Sequence, residues 1–303
     1  MGTPTAPGKP YEVGIPDSAK RISTFTFNVK EKLWMNNLAQ NMSWIRNGRD
    51  IEDLPKREDV PALVIGAGPS INKHQQLKLI SKSDFKGTIF VCDKILKRAL
   101  AKRIVPDYVV CIDGAPKIAS FFPKKSKPIT AIFNGLTVHP DTMKACPYPI
   151  YWFISIIDNP FGEMSLTRAI HYMTKKTMLV SLGNVGGTTW NIALYLEHNP
   201  IALVGLDYGY PQNTHIEETI YYRAYLKLAK GDKEVVKGFF SIIKNPDTGK
   251  EVLVDMNFNA YRDMFLPHAE CAECSTINCT PESSLFGPGI KYQSLEEFLH
   301  ENS

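Results

Sequence analysis

ALVIGAGPS, residues 62–70, passes from four apolar residues directly into a turn with glycines at 66 and 68. A short apolar run bounded by glycine reads as a buried strand. From Ile71 to Ser81 the spacing turns helical, so a strand, a tight turn and a helix are expected in succession.

The same alternation continues toward the C-terminus. Further strands are expected at 88–92, 108–112, 129–133, 150–154, 178–181 and 201–204, with helices at 94–102, 165–174 and 188–197. Parallel strands need a crossover and cannot be joined by a tight turn. The alternation therefore predicts an α/β fold, a Rossmann-like, doubly wound and mostly parallel sheet. After about Tyr208 the pattern changes. FFSII and EVLV flank the turn-forming run Lys244 to Lys250 and predict a hairpin insertion in the C-terminal part. A helix over 256–271, a strand near 275–278 and a last helix over 294–299 complete this reading.

Residues 1 to about 20 are rich in Pro, Gly and Thr and are expected to be extended or disordered. Leu33, Trp34, Leu38, Met42 and Ile45 share one face of a helix over about 28–47, and the charged segment 48–59 reads as a linker. The expected division is an N-terminal extension over 1–59 and a Rossmann-like domain over 60–303.

With 303 residues, 44% hydrophobic and 22% charged, the chain is of ordinary globular composition. The net charge of +4 is spread along the sequence with no long basic block, which fits a small anionic ligand as well as weak nucleic-acid attraction, and the partner expected is a small molecule rather than a nucleic acid. No apolar run reaches the roughly 20 residues of a membrane span. The N-terminus lacks the basic and apolar regions of a signal peptide, so a cytoplasmic protein is expected. Of the six cysteines, Cys92 and Cys111 lie in apolar runs and read as buried thiols rather than disulfide partners. His268, Cys271, Cys274 and Cys279 have short, zinc-like spacings, yet they join a helix end to a strand instead of two separated knuckles. The spacing leaves zinc open, and no metal ligand is assigned.

The candidate site gathers at the C-terminal ends of the strands. Gly66, Gly68 and Pro69 shape a turn whose main-chain amides are expected to face a phosphate, with Ser70 adding a hydroxyl or capping the helix. The turn is neither GxGxxG nor a Walker A loop. Asp93 and Asp113 follow the next two strands. Either carboxylate is placed to hold a ribose or a phosphate-bound metal, and Asp93 is equally placed to cap the helix behind it. Gly186, Gly187 and Thr188 open a second helix and suit a polar ligand. Asp207 ends another strand, and His215 lies in the polar loop beyond it, as a general acid or base, a phosphate partner or a solvated loop residue. His74, His139, His171, His198 and His300 read as surface residues.

GAGPSI, PDYVVCIDG, GNVGGTTWNIAL, PIALVGLDYGYPQNTH and INCTPESSLFGPGIKYQSLEEFL, in this order, resemble the family joining the motility accessory factor proteins and the MptE-like 6-hydroxymethylpterin diphosphokinases. The similarity runs from about Pro61 to Leu299. It implies a Rossmann-like domain related to sialyltransferases that use a CMP-activated sugar, with the turn at Gly66 to Ser70 near the nucleotide and the segments at 186–188 and 207–215 lining the same cleft. One branch implies transfer of a nonulosonic acid to protein hydroxyls, and the other transfers diphosphate from ATP to a pterin alcohol with Mg2+. The hairpin and the Asn278-Cys279-Thr280 segment look more like the motility accessory branch, while Cys111-Ile112-Asp113 lacks the extra acidic residue of the diphosphokinase strand end.

The leading expectation is a glycosyltransferase-like enzyme that takes a nucleotide-linked donor and requires no cofactor. In it Gly66, Gly68 and Ser70 hold the donor phosphate, Asp113 positions the ribose or base, Gly187 and Thr188 bind the sugar or its carboxylate, and His215, with Asp207, assists nucleotide departure. The acceptor would be a protein hydroxyl or a small alcohol. The alternatives are ATP- and Mg2+-dependent diphosphoryl transfer, with Asp113 on the metal, and a nucleotide-binding module without turnover.

Overall fold

The computed structural model describes residues 17–303 except residue 126, with side chains from residue 26 onward. In chain order the strands are β1 (Arg49–Asp50), β2 (Ala62–Ile65), β3 (Thr88–Cys92), β4 (Tyr108–Cys111), β5 (Thr130–Asn134), β6 (Ile150–Ile156), β7 (Met178–Val180), β8 (Ile201–Val204), β9 (Tyr210–Pro211), β10 (Phe240–Lys244), β11 (Glu251–Asp255), β12 (Thr276–Asn278) and β13 (Ile290–Tyr292). Ten of them form one sheet in the order β1-β6-β5-β4-β3-β2-β8-β12-β13, with β7 on the same edge of β6 as β1. Every pairing in it is parallel.

Side-chain alternation explains why both faces are covered. Leu63, Ile65, Val91, Val109, Cys111, Ala131, Phe133, Ala202 and Val204 enter one core, whereas Ala62, Val64, Phe90, Val110, Ile132, Ile201 and Leu203 enter the other. Strands buried on both sides read as continuous apolar runs, the signal that makes them easy to find. The N-terminal helix (Asp17–Asn47) delivers Leu38 and Ile45 to the first core, joined by Leu295, Phe298 and Leu299 of the final helix. The helices Val185–Tyr195 and Met256–Cys271 cover the second face, where Trp190 meets Phe265 with ring centroids 4.8 Å apart.

Several expectations need correction. Residues 17–20, expected to be extended, begin the N-terminal helix, while residues 1–16 lie outside the described part. The supposed linker contains β1, which pairs with β6, and Ile51 is fully buried. The helix expected over 71–81 is two pieces, Ser70–Lys73 and Gln76–Ile80, broken at Gln75 with φ 49°. The break turns the Gln76 side chain inward, where it donates to the Cys279 carbonyl at 3.2 Å. His198 is 1% exposed rather than a surface residue, its Nδ1 2.9 Å from the Val60 carbonyl.

The inserted hairpin is present: β10 and β11 pair antiparallel and, with β9, make a three-stranded sheet. Helices Tyr222–Leu228 and Lys233–Lys237 complete the insertion around Tyr222, Tyr225 and Val236. Among the described residues no helix is long and apolar enough to cross a membrane.

Candidate active site at the strand crossover

From β2 the chain moves outward through β3, β4, β5 and β6, then returns to place β8 on the opposite side of β2. In doubly wound sheets a ligand crevice is expected where strand order reverses, outside the carboxyl ends of the two strands. Here that point lies between the turn Gly66–Ser70 and the segment Gly205–Tyr208.

The two segments are tied together. Gly66 donates its amide to the Val204 carbonyl at 2.8 Å, and Gly68 donates to Gly205 at 2.9 Å. Ser70 donates its amide to Asp207 Oδ2 at 2.8 Å and its hydroxyl to Oδ1 at 2.5 Å. Only glycine fits at 68, because a Cβ there would lie 2.6 Å from Asp207 Cγ. The expectation of unpaired amides at Gly66, Gly68 and Ser70 is therefore corrected: all three donate within the protein. Pro69, which has no N–H, is the exposed residue of the turn and precedes the short helix without a side-chain cap.

Asp207, expected to act in catalysis, is buried as the anchor of this clamp. Burial pushes its carboxyl up to about 6, against the lowering effect of the Ser70 hydrogen bonds. Asp93 is also buried, and burial pushes it up to about 6, with the Asp113 charge acting in the same direction. Asp93 receives the Lys94 amide at 2.6 Å and opens a short 3-10 turn, so it occupies the first position of that turn rather than its cap. Half-buried Asp113 receives the Ala115 amide at 3.0 Å. The loop carrying Asp113 is held from outside: Asn37 of the N-terminal helix donates to the carbonyls of Gly114 at 3.2 Å and Thr137 at 2.8 Å.

The second glycine-rich segment sits at the same end of the sheet. Asn184 caps the helix Val185–Tyr195 by accepting the Gly187 amide at 3.0 Å, and the Tyr208 hydroxyl donates to the same oxygen at 3.0 Å. Thr188 donates its hydroxyl to the Asn184 carbonyl at 2.8 Å, which commits it to the helix start. Gly186 is buried against Leu206. The amides of Val185 and Gly186 head the helix and have no intrahelical acceptor, so this end presents a partial positive charge.

His215 is exposed at the start of the turn Ile216–Glu218, and among the described residues its imidazole has no partner. The histidine that the fold brings toward Asp207 is His74, whose charge lowers the Asp207 pKa. His74 Nε2 and Lys73 Nζ each lie 2.7 Å from a Glu282 oxygen. Burial acts to raise Glu282, but these two partners outweigh it and hold the carboxyl below its usual range. This trio is invisible in sequence because Glu282 lies 209 residues from Lys73. The zinc-like run is dispersed: Cys279 and Cys274 pack in the cores on opposite sheet faces, and His268 Nδ1 lies 2.8 Å from the Met264 carbonyl. Among the described residues no group of three or more His, Cys, Asp or Glu is placed to hold a metal ion.

A wall of aromatic residues also borders the site. Phe258 and Tyr261 are half-buried beside Tyr208, Tyr221 packs against Phe258, and a Cβ at Gly183 would lie 2.9 Å from the Tyr261 ring. No motif points to these rings, which come from the inserted segment and the helix that follows it.

Among solved structures the chain is similar to the Maf glycosyltransferase from Magnetospirillum magneticum AMB-1, with a TM-score of 0.58 and 16% identity. The alignment covers 87% of this chain and 38% of that one, so the chain spans well under half of that protein, and the likeness is one of fold. No curated protein matches the sequence. The family model described as 6-hydroxymethylpterin diphosphokinase MptE-like matches residues 34–213, from the N-terminal helix through both segments of the crevice. The chain belongs to the MptE-like family.

Proposed function

We infer that the protein is a transferase acting on a nucleotide-linked donor of the CMP-nonulosonate type, bound in the crevice between β2 and β8. The observation that carries this reading is the start of helix Val185–Tyr195, where Asn184 and the Tyr208 hydroxyl frame two amides without intrahelical acceptors. In glycosyl transfer the departing nucleotide carries the developing negative charge, and preorganised neutral donors stabilise it without reorganisation. Val185 and Gly186 are assigned to the donor phosphate and Asp113 to the ribose or base. Asp207 positions the turn from which His74 and Lys73 project. His215, exposed beyond β9, would meet the donor only at the mouth of the crevice. The acceptor is a protein hydroxyl or a small alcohol.

A second reading is favoured by one observation of its own. Asp93 and Asp113 follow adjacent strands, and the charge of one raises the pKa of the other. Two nearby carboxylates fit the usual protein share of a Mg2+ site, with substrate phosphates and water supplying the remaining ligands. Mg2+ held there would neutralise ATP phosphates during diphosphoryl transfer to a pterin alcohol.

Thermal unfolding with CMP, UDP, GDP, ATP and 6-hydroxymethylpterin, each with and without Mg2+, separates the readings. A ligand at a hundred times its Kd adds about 2.7 kcal/mol. Stabilisation by CMP without Mg2+ supports glycosyl transfer. Stabilisation by ATP and pterin only with Mg2+ supports diphosphoryl transfer, and no stabilisation by any of them contradicts both.

A further inference from the structure

We propose that Tyr221, Phe258 and Tyr261 form a stacking platform that receives the planar heteroaromatic ring of the ligand, a nucleobase or a pterin; this rests on the reading of the crevice given above. The Tyr221 and Phe258 rings have centroids 5.8 Å apart at 73°, the Phe258 and Tyr261 rings 6.3 Å apart at 73°, and the hydroxyl oxygens of the two tyrosines lie 3.5 Å apart. Phe258 and Tyr261, three residues apart, share one face of the helix Met256–Cys271.

Behind this front row the structure is rigidly held. Asp255 caps the helix by accepting the Phe258 amide at 2.9 Å, and its other oxygen receives the Tyr210 hydroxyl at 2.8 Å. The Tyr225 hydroxyl accepts the Asn257 amide at 3.1 Å. Tyr208 and Tyr225 are buried and anchored by such bonds, whereas Tyr221, Phe258 and Tyr261 are each partly exposed. An aromatic surface fixed from behind and only partly covered by the protein is preorganised for a flat partner, since rings attract one another edge-to-face or offset-stacked. Its position supplies the link to the crevice: Tyr261 lies over the Gly183 turn that leads into Asn184, and the Asp113 carboxylate is near enough to act on its hydroxyl. The platform therefore borders both the helix start assigned to phosphate and the carboxylate assigned to ribose or base.

The test titrates the full chain, as wild type and as Tyr261→Leu, Tyr221→Leu and Tyr261→Phe, with CMP, ATP, 6-hydroxymethylpterin and inorganic pyrophosphate, following heat of binding. Removing one stacking ring is expected to weaken the ring-bearing ligand about tenfold or more. Pyrophosphate affinity is expected to stay unchanged in both leucine variants, and Tyr261→Phe is expected to bind as the wild type. The arm that binds in the wild type identifies nucleobase or pterin. Wild-type affinity for CMP, ATP or pterin in both leucine variants overturns the platform alone. Equal loss of pyrophosphate and ring-bearing ligands also overturns it, because the effect is then general. If the wild type binds none of these compounds, the transferase reading and the platform fall together.

Discussion

The Asp207 carboxylate holds Ser70 by two hydrogen bonds, from its amide at 2.8 Å and from its hydroxyl at 2.5 Å, across 137 residues of sequence. The bond pair joins the end of β8 to the turn after β2. A buried carboxylate with two donors fixes the shape of a turn more firmly than glycine geometry alone does. Asp207→Ala leaves a buried amide and hydroxyl without their acceptor and is expected to destabilise the protein by about 1–3 kcal/mol. Gly68→Ala should have a similar effect by overpacking, because the new methyl displaces the same carboxylate. Urea unfolding checks both, and a wild-type midpoint in either variant would show that the clamp is dispensable.

Stability should carry the mark of the buried carboxylates. Asp93 is raised to about 6 in the folded protein, so between about pH 4 and pH 6 the native state binds more protons than the unfolded one. Its contribution is complete below the ordinary carboxylate pKa and is lost as pH rises through 6. A carboxyl whose pKa rises by one on folding contributes about 1.4 kcal/mol in this way. Asp93→Asn should remove this decline, so the stability difference, wild type minus variant, falls by up to about 3 kcal/mol from pH 4 to pH 7. A flat difference across that range would contradict the buried placement of Asp93.

Glu282 carries the opposite sign. Its pKa is depressed by Lys73 and His74, so the stability it contributes is present above the ordinary carboxylate pKa and lost as pH falls through its lower folded value. Glu282→Gln is expected to flatten the acid limb of the stability profile with only a small change at pH 7, since Lys73 is half-exposed. An unchanged acid limb would show that the trio is not coupled to folding.

Asn37 and Asn184 hold the crevice from two directions. Asn37→Ala removes the donor shared by the Gly114 and Thr137 carbonyls and is expected to cost about 1–3 kcal/mol. Asn184→Ala removes a helix cap, at about 1 kcal/mol, and releases the Tyr208 hydroxyl. Denaturation of each variant, followed by CMP titration of the folded protein, measures both effects. Undiminished CMP affinity in Asn184→Ala would argue against a ligand at that helix start.

What could be read from sequence follows from the range of the forces involved. The limits of β2, β3 and β8 coincide with their apolar runs, because burial patterns are local, and the helix Met256–Cys271 has the limits expected of it. β1 and β13 escaped because two or three residues at a sheet edge carry almost no periodicity. The carboxylates at strand ends were visible, but not the pairing of the Gly66, Gly68 and Ser70 amides, which depends on residues near 205 meeting residues near 66. The same long-range closure brings Asp207 within the electrostatic reach of His74. Phe258 and Tyr261 share a helix face by their spacing, but Tyr221 joins them only once the insertion has folded.

The amide resonances of 15N-labelled protein titrated with CMP report whether the start of helix Val185–Tyr195 receives the donor phosphate. Val185 and Gly186 are expected to shift most strongly, with small changes at Gly66, Gly68 and Ser70, whose amides are already bound within the protein. Saturation with CMP that leaves Val185 and Gly186 unmoved, while residues remote from the crevice shift, would contradict that placement.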